Sequence, residues 1–206
     1  MLASEFFKKY VKRYFVKRPR LYYYLSIVKE EIKILKKGGI GVLATDTLYG
    51  IVGSALSPKA VRRIYTVKGR DDKKPFIILI ASLNDLKKFS VRLTAEQKRF
   101  LAKEWPGPVS IILPCKPKKF EYLHRGTESL AFRMPRNKRL IELLKKTGPL
   151  VAPSVNPQGL TPAKNITEAR DYFEDSVDFY IPTGTKEGKP SRIVSLTGEL
   201  PVIIRK

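Results

Sequence analysis

A chain of 206 residues is long enough to bury one substantial core without needing a second lobe, and its 41 Lys and Arg against 19 Asp and Glu leave a formal net charge of +22. That excess favours an anionic partner, whether nucleotide, nucleic acid or anionic membrane surface, without choosing among them. A single cysteine, Cys115, and a single histidine, His124, argue against a disulfide framework, a Cys/His zinc centre and a Cys-His nucleophile pair.

Residues 1–26 read as an extension distinct from the remainder of the chain. Phe6, Phe7, Tyr10, Val11, Tyr14 and Phe15 recur at helical spacing among Lys8, Lys9, Lys12, Arg13, Lys17 and Arg18, and Pro19 limits the helix. An apolar stripe of this period usually buries itself, so a helix packed on the remaining domain is expected, with an RNA or membrane contact as the competing reading. No apolar run approaches the roughly 18 residues of a membrane span. The charged N-terminus also lacks the apolar region and cleavage site of a secretory leader, and the expected compartment is the cytoplasm.

From residue 27 onward, helical and strand patterns alternate. A helix is predicted over 27–37, stopped by Gly38-Gly39, and a strand over 40–44 that leads into a hydroxyl-rich loop. Ser57 is placed to cap a helix with Pro58 in its first turn, ending near Lys68. Phe76 to Ile80 is a short apolar strand; Thr94 and Gln97 form a capping box for a helix reaching Trp105, and a strand comes next over 109–113. Further strands are predicted over 130–134, 150–152, 178–181, 193–196 and 202–205, with helices over 138–146 and 167–173. The alternation specifies an α/β domain, and the closely spaced late strands call for mixed or antiparallel pairing.

Three polar segments interrupt this pattern. Thr45-Asp46-Thr47-Leu48-Tyr49-Gly50 gathers hydroxyls after a strand, and Lys68-Gly69-Arg70 puts two cations on a glycine hinge suited to phosphate or carboxylate. Ser154-Val155-Asn156 lies between Pro153 and Pro157, which hold short polar side chains in place. Arg133, flanked by Ala131-Phe132 and Met134-Pro135, fits either a bidentate contact to a carboxylate ligand or a buried structural ion pair. No carboxylates fall at metal-ligand spacing: Asp46, Asp71 and Asp72 do not make a dedicated site.

These segments, together with Ser129-Leu130-Ala131-Phe132-Arg133 and Arg205, resemble the YrdC-type threonylcarbamoyl-AMP synthases in order and spacing, over roughly residues 27–205. The resemblance implies a twisted mixed sheet flanked by helices, with an open basic cavity. It implies condensation of ATP, L-threonine and bicarbonate to threonylcarbamoyl-AMP and pyrophosphate, with a further protein passing the product to a tRNA adenosine. Lys68 and Arg70 are the implied catalytic cations. Lys68, Arg70, Lys74, Ser129, Ser154, Asn156 and Arg205 are the implied ATP contacts, and Thr47, Arg133, Ala152 and Ser191 the implied threonine contacts. Magnesium would arrive on ATP. Three positions depart from the family pattern, Arg192, Ser195 and Leu79, and all bear on the threonine end of the pocket. The rival reading is a non-catalytic module on the same fold that binds double-stranded RNA or tRNA, and a third is an enzyme that uses another carbamoyl donor.

Overall fold

In the computed structural model, which describes residues 29–71 and 73–206, nine strands form one sheet and six α-helices flank it. The predicted extension over 1–26 lies outside the described residues. The strands are β1 (Ile40–Ala44), β2 (Tyr49–Ser54), β3 (Ile77–Leu79), β4 (Val109–Pro114), β5 (Ser129–Arg133), β6 (Leu150–Val151), β7 (Phe179–Tyr180), β8 (Arg192–Ser195) and β9 (Val202–Arg205). The helices are α1 (29–36), α2 (Pro58–Lys68), α3 (Ala95–Glu104), α4 (Glu121–His124), α5 (Lys138–Thr147) and α6 (Ile166–Phe173). Among the described residues, no helix is long and apolar enough to cross a membrane.

The sheet runs in the order β7-β1-β2-β6-β3-β5-β4-β8-β9. It is mixed, as the late strands require: β1/β7, β3/β5 and β4/β8 are parallel, and the remaining neighbours are antiparallel. Because side chains alternate across a strand, each face receives its own apolar set. One face carries the main core, where Ile51, Ile78, Ile111 and Phe132 meet Ile64 of α2, Leu101 of α3 and Phe173 of α6. On the other face Leu43, Val52, Leu79 and Leu150 meet Leu35 of α1 and Leu140, Leu143 and Leu144 of α5. Further along that second face, Ser129, Ala131, Ile112 and Ile193 are only half-buried. The sheet is thus covered on one side and open over part of the other.

Helix α2 matters most to the site. Ser57 Oγ accepts from the Ala60 N–H at 3.2 Å, Pro58 occupies the first turn, and Gly69 ends the helix at φ +54°. That left-handed value is what a glycine C-cap supplies at little cost. The cap therefore fixes where Lys68 stops and Arg70 begins. The capping box at Thr94 and Gln97 also forms as predicted.

Several elements depart from the sequence expectation, among them the short helix α4, for which no element was predicted. Strand β2 occupies a stretch for which no element was predicted: residues 45–48 make a tight turn and the chain pairs straight back, Ala44 opposite Tyr49. Its sequence, Tyr-Gly-Ile-Val-Gly-Ser, is buried on both faces and so shows no alternation, and its two glycines dilute the strand propensity of Tyr49, Ile51 and Val52. Residues Leu83–Phe89 form a 3₁₀ segment in place of the expected connection, begun by Asp85 Oδ2 accepting the Ala81 and Ser82 N–H groups at 2.9 and 3.2 Å.

Replacing Ser57 by Ala should cost about 1 kcal/mol of stability, read as a lower denaturation midpoint with an unchanged slope. No loss at all would mean that the cap contributes nothing to holding α2.

Candidate active site

The turn between β1 and β2 is built from its own hydroxyls. Thr45 Oγ1 donates to the Leu48 carbonyl at 2.7 Å, accepts from the Thr47 N–H at 3.1 Å, and lies 3.0 Å from Thr47 Oγ1. Arg133, the last residue of β5, reaches into this turn. Its Nη1 donates to Thr47 Oγ1 at 2.8 Å and lies 3.3 Å from Asp46 Oδ1, and its Nη2 meets Thr45 Oγ1 at 3.4 Å. Asp46 Oδ2 accepts from the Arg136 N–H at 3.2 Å. Arg133 is only 4 % exposed. Burial pulls its guanidinium below the ordinary value, Asp46 opposes that shift and Arg205 adds to it, yet an arginine stays charged at neutral pH. The buried ion pair that the sequence left as one of two accounts of Arg133 is therefore present, with Asp46 as partner, while Arg133 Nε has no acceptor among the described residues.

Lys68 is the last residue of α2, where the predicted helix ends. Its side chain turns inward, 3 % exposed, and the ammonium donates to two backbone carbonyls, that of Ser154 at 2.6 Å and that of Asn156. Burial pushes the Lys68 ammonium down to about 7, and the Arg70 charge adds to the shift. Around this anchor the 154–156 segment is held by its own bonds: Ser154 Oγ donates to Asn156 Oδ1 at 2.6 Å, and Asn156 Nδ2 donates to the Pro157 and Leu160 carbonyls at 3.0 and 2.7 Å. Gln158 returns to the helix end, its N–H donating to the Lys68 carbonyl at 2.8 Å and its Oε1 accepting from the Asp71 N–H at 2.7 Å.

Arg70 is held differently, at the surface. Its Nε donates to the Lys74 carbonyl at 3.1 Å, and its guanidinium lies 5.3 Å from the centre of the Phe76 ring. Phe76 stacks on Tyr65 at 4.0 Å, and the Tyr65 hydroxyl donates to the same Lys74 carbonyl at 3.1 Å. An aromatic pair thus templates the loop bearing Arg70 and Lys74. Lys74 itself is exposed, 3.9 Å from Asp71.

The first residues of β2 join these two groups. Ser154 bridges Gly50, and the Val155 N–H donates to the Tyr49 carbonyl at 3.2 Å, two residues beyond Thr47. Ala152 is half-buried against the second core and sits just before the loop. Ser191 is buried, its hydroxyl 2.8 Å from that of Ser110, and Arg205 clasps its carbonyl through Nε and Nη2 at 3.1 and 2.7 Å. Ser129 shares a face with Arg133 but stands four residues back along β5, roughly 13 Å away at the usual rise per residue. Thr47, Arg133, Lys68, Ser154 and Asn156 are therefore brought together around β2, while Ser129 and Lys74 lie toward the rim.

The departures from the family pattern have local explanations. Arg192 pairs with Glu104 at 2.6 Å, Ser195 bonds Thr197 at 2.9 Å, and Leu79 is fully buried in the second core. Sequence reasoning gave Asp46, Tyr49, Ser110 and Gln158 no part in the framework; Asp46 and Tyr49 stand in the Thr45–Gly50 motif, whereas Ser110 and Gln158 carry no local signal. His124 Nδ1 accepts from the Gly126 N–H at 3.2 Å, and burial pushes the Cys115 thiol up to about 11. The site presents cations, hydroxyls and oriented backbone, suited to bringing anions together, rather than a nucleophile with its base.

Known proteins resemble this chain in sequence and in fold. The family model Sua5_yciO_yrdC, described as telomere recombination, matches residues 33–206. A threonylcarbamoyl-AMP synthase of Bacillus subtilis is 30% identical over 86% of this chain and 52% of its own length; one of Hahella chejuensis is 31% identical over 81% of this chain and 91% of its own. The crystal structure of P. abyssi Sua5 complexed with L-threonine superposes with a TM-score of 0.78 at 28% identity, covering 86% of this chain and 53% of that one. The chain thus spans about half the length of the Bacillus relative and of the P. abyssi structure.

Lys68→Met should lower stability by about 1–3 kcal/mol, because the Asn156 carbonyl loses this donor and the Ser154 carbonyl keeps only the Asn156 N–H. The loss depends on pH. The unfolded lysine titrates near 10.5 and the folded one near 7, so between these values the unfolded chain binds the extra proton and the group adds stability as pH rises. The gap in unfolding free energy between wild type and variant should widen from about pH 6 to about pH 9; a flat or narrowing gap contradicts a depressed Lys68.

Proposed function

Because the chain belongs to the Sua5/YciO/YrdC family, we propose that it is a threonylcarbamoyl-AMP synthase, a nucleotidyltransferase that makes threonylcarbamoyl-AMP and pyrophosphate from ATP, L-threonine and bicarbonate. The threonine amine and bicarbonate condense to a carbamate with loss of water. A carbamate oxygen then attacks the α-phosphorus of ATP, and pyrophosphate leaves. Both reactants at that step are anions, so the barrier is lowered by cations and by positioning. Arg70 and Lys74 are assigned to the polyphosphate, with Ser154, Asn156, Ser129 and Arg205 as further nucleotide contacts. Lys68 supports the Ser154–Asn156 loop from beneath, and ATP would draw on its charge.

The observation that carries this reading is Arg133. It is a buried guanidinium set against Thr45, Asp46 and Thr47, and its Nε has no acceptor among the described residues. A carboxylate suits that spare donor, which is the role assigned to it toward threonine alongside Thr47, Ala152 and Ser191. Magnesium is assigned to ATP: among the described residues, no three His, Cys, Asp or Glu side chains gather as a metal site, and phosphate oxygens and water suit the ion. Transfer to a tRNA adenosine is assigned to another protein, and the compartment to the cytoplasm. The net charge of +22 supports a second reading, a non-catalytic module for tRNA or double-stranded RNA.

The purified chain, given ATP, L-threonine and bicarbonate, should release pyrophosphate and yield threonylcarbamoyl-AMP by mass spectrometry. Binding of tRNA without either product would favour the second reading. Arg70→Ala should lower turnover by on the order of 10²-fold, the usual loss for one preorganised charge contact, with the melting temperature nearly unchanged. Arg133→Ala should raise the threonine requirement far more than that for ATP. An equal rise for both substrates would confine Arg133 to its ion pair with Asp46.

A further inference from the structure

Between β7 and β8 the chain runs from 182 to 191 without helix or strand, and one buried phenol holds its near end. The Tyr49 hydroxyl donates to the Gly184 carbonyl at 2.6 Å, accepts from the Thr183 N–H at 3.1 Å, and lies 3.1 Å from Thr183 Oγ1. Tyr49 is 1 % exposed, and three bonds to a segment 134 residues away are far more than satisfying one hydroxyl requires. The segment is then pinned three more times. The Lys186 N–H donates to the Lys164 carbonyl at 2.7 Å. Gly188 lies so close to the β1–β2 turn that a β-carbon there would fall 2.1 Å from the Thr47 carbonyl oxygen. At the far end Arg205 and Ser110 fix Ser191. Of the four pins, one is Thr47 itself and another holds Ser191, both assigned above to threonine.

We propose that residues 182–191 form a strap across the threonine end of the site, and that Tyr49 is the positioning residue that holds it closed over Thr47. This rests on the synthase reading for its ligand, though not for its geometry. Tyr49 touches no substrate. It acts by fixing Gly184, and through the short span to Gly188 it sets the distance between the strap backbone and the Thr47 turn. Glycine is required at 188 because no side chain fits between the two backbones. With the strap seated, the turn that Arg133 grips cannot drift, and threonine meets Thr47 and Ser191 in one preset arrangement. Among the assigned nucleotide contacts only Arg205 bonds the strap, at Ser191; that far-end pin stays in place when the Tyr49 hydroxyl is lost, so ATP should feel little of the release.

Tyr49→Phe tests this, since the ring stays in the core and only the hydroxyl is lost. Hydrogen–deuterium exchange in peptides spanning 182–191 should speed up by about tenfold or more once the Thr183 amide loses its acceptor, while 154–160 keeps its protection. In kinetics the KM for L-threonine should rise by roughly tenfold, with kcat at saturating threonine and the KM for ATP within about twofold of wild type, the pattern of lost uniform binding to one substrate. Gly188→Ala, which lifts the strap by sterics, should reproduce both effects, and it stands in if the phenylalanine variant folds poorly. Unchanged strap exchange in both variants overturns the proposal, as does a comparable rise in KM for ATP. Should the wild type make no threonylcarbamoyl-AMP, exchange and calorimetric titration with L-threonine still decide the matter: faster exchange with weakened threonine binding supports the strap, and faster exchange with unaltered threonine binding refutes its role.

Discussion

An ammonium buried at the end of a helix sets the shape of this site. Lys68 gives its charge to the carbonyls of Ser154 and Asn156, and through that contact three separate stretches of chain become one surface: the end of α2, the proline-bounded loop after β6, and the start of β2 that the loop bridges. A cation withdrawn from water costs several kcal/mol unless donors and acceptors are closely matched. Two backbone carbonyls supply part of that match, and burial still drives the group down to about 7. An anion placed above the loop would relieve the remaining deficit. The rest of the site can then be understood as the surroundings of a loop that cannot move.

Arg133 poses the same problem and solves it with a partner. Asp46 and the hydroxyls of Thr45 and Thr47 surround its guanidinium, so the turn that would receive an amino acid is the one that neutralises the arginine. A structural pairing and a ligand contact are compatible in one guanidinium because its five donors exceed the bonds it makes. The strap over Thr47 completes the enclosure. Two buried cations, each fixed to backbone or turn, leave half-buried Arg70 and exposed Lys74 as the adjustable part of the surface, and the Tyr65–Phe76 stack limits how far that part can move.

Local chemistry was legible in the sequence, and long-range pairing was not. Ser57, Pro58 and Gly69 announce both ends of α2, and Thr94 with Gln97 announces the start of α3, because caps are decided within four residues. Strand β2 escaped notice because its two glycines and its burial on both faces erase the period-2 signal. Lys68 was recognisable as part of a cationic motif, but nothing local says that it faces inward, since its acceptors lie 86 and 88 residues away. Arg133 was open to two readings for the same reason: Asp46 is far earlier in the chain and meets it only once β1, β2, β6, β3 and β5 stand side by side. Tyr49 stands in the Thr45–Gly50 motif, but its hydroxyl partners at 183 and 184 are fixed only by the fold.

If the site joins a carbamate to the α-phosphorus of ATP, the first chemical step must need two small substrates together. Exchange of labelled pyrophosphate into ATP measures this directly, performed in buffer stripped of carbon dioxide with L-threonine and bicarbonate added singly and jointly. The account predicts exchange only when both are present, because neither threonine alone nor bicarbonate alone offers the attacking carbamate. Exchange driven by threonine without bicarbonate would mean that the carboxylate itself is adenylated, and would contradict the assignment of Arg133 to that carboxylate and of the site to carbamate chemistry.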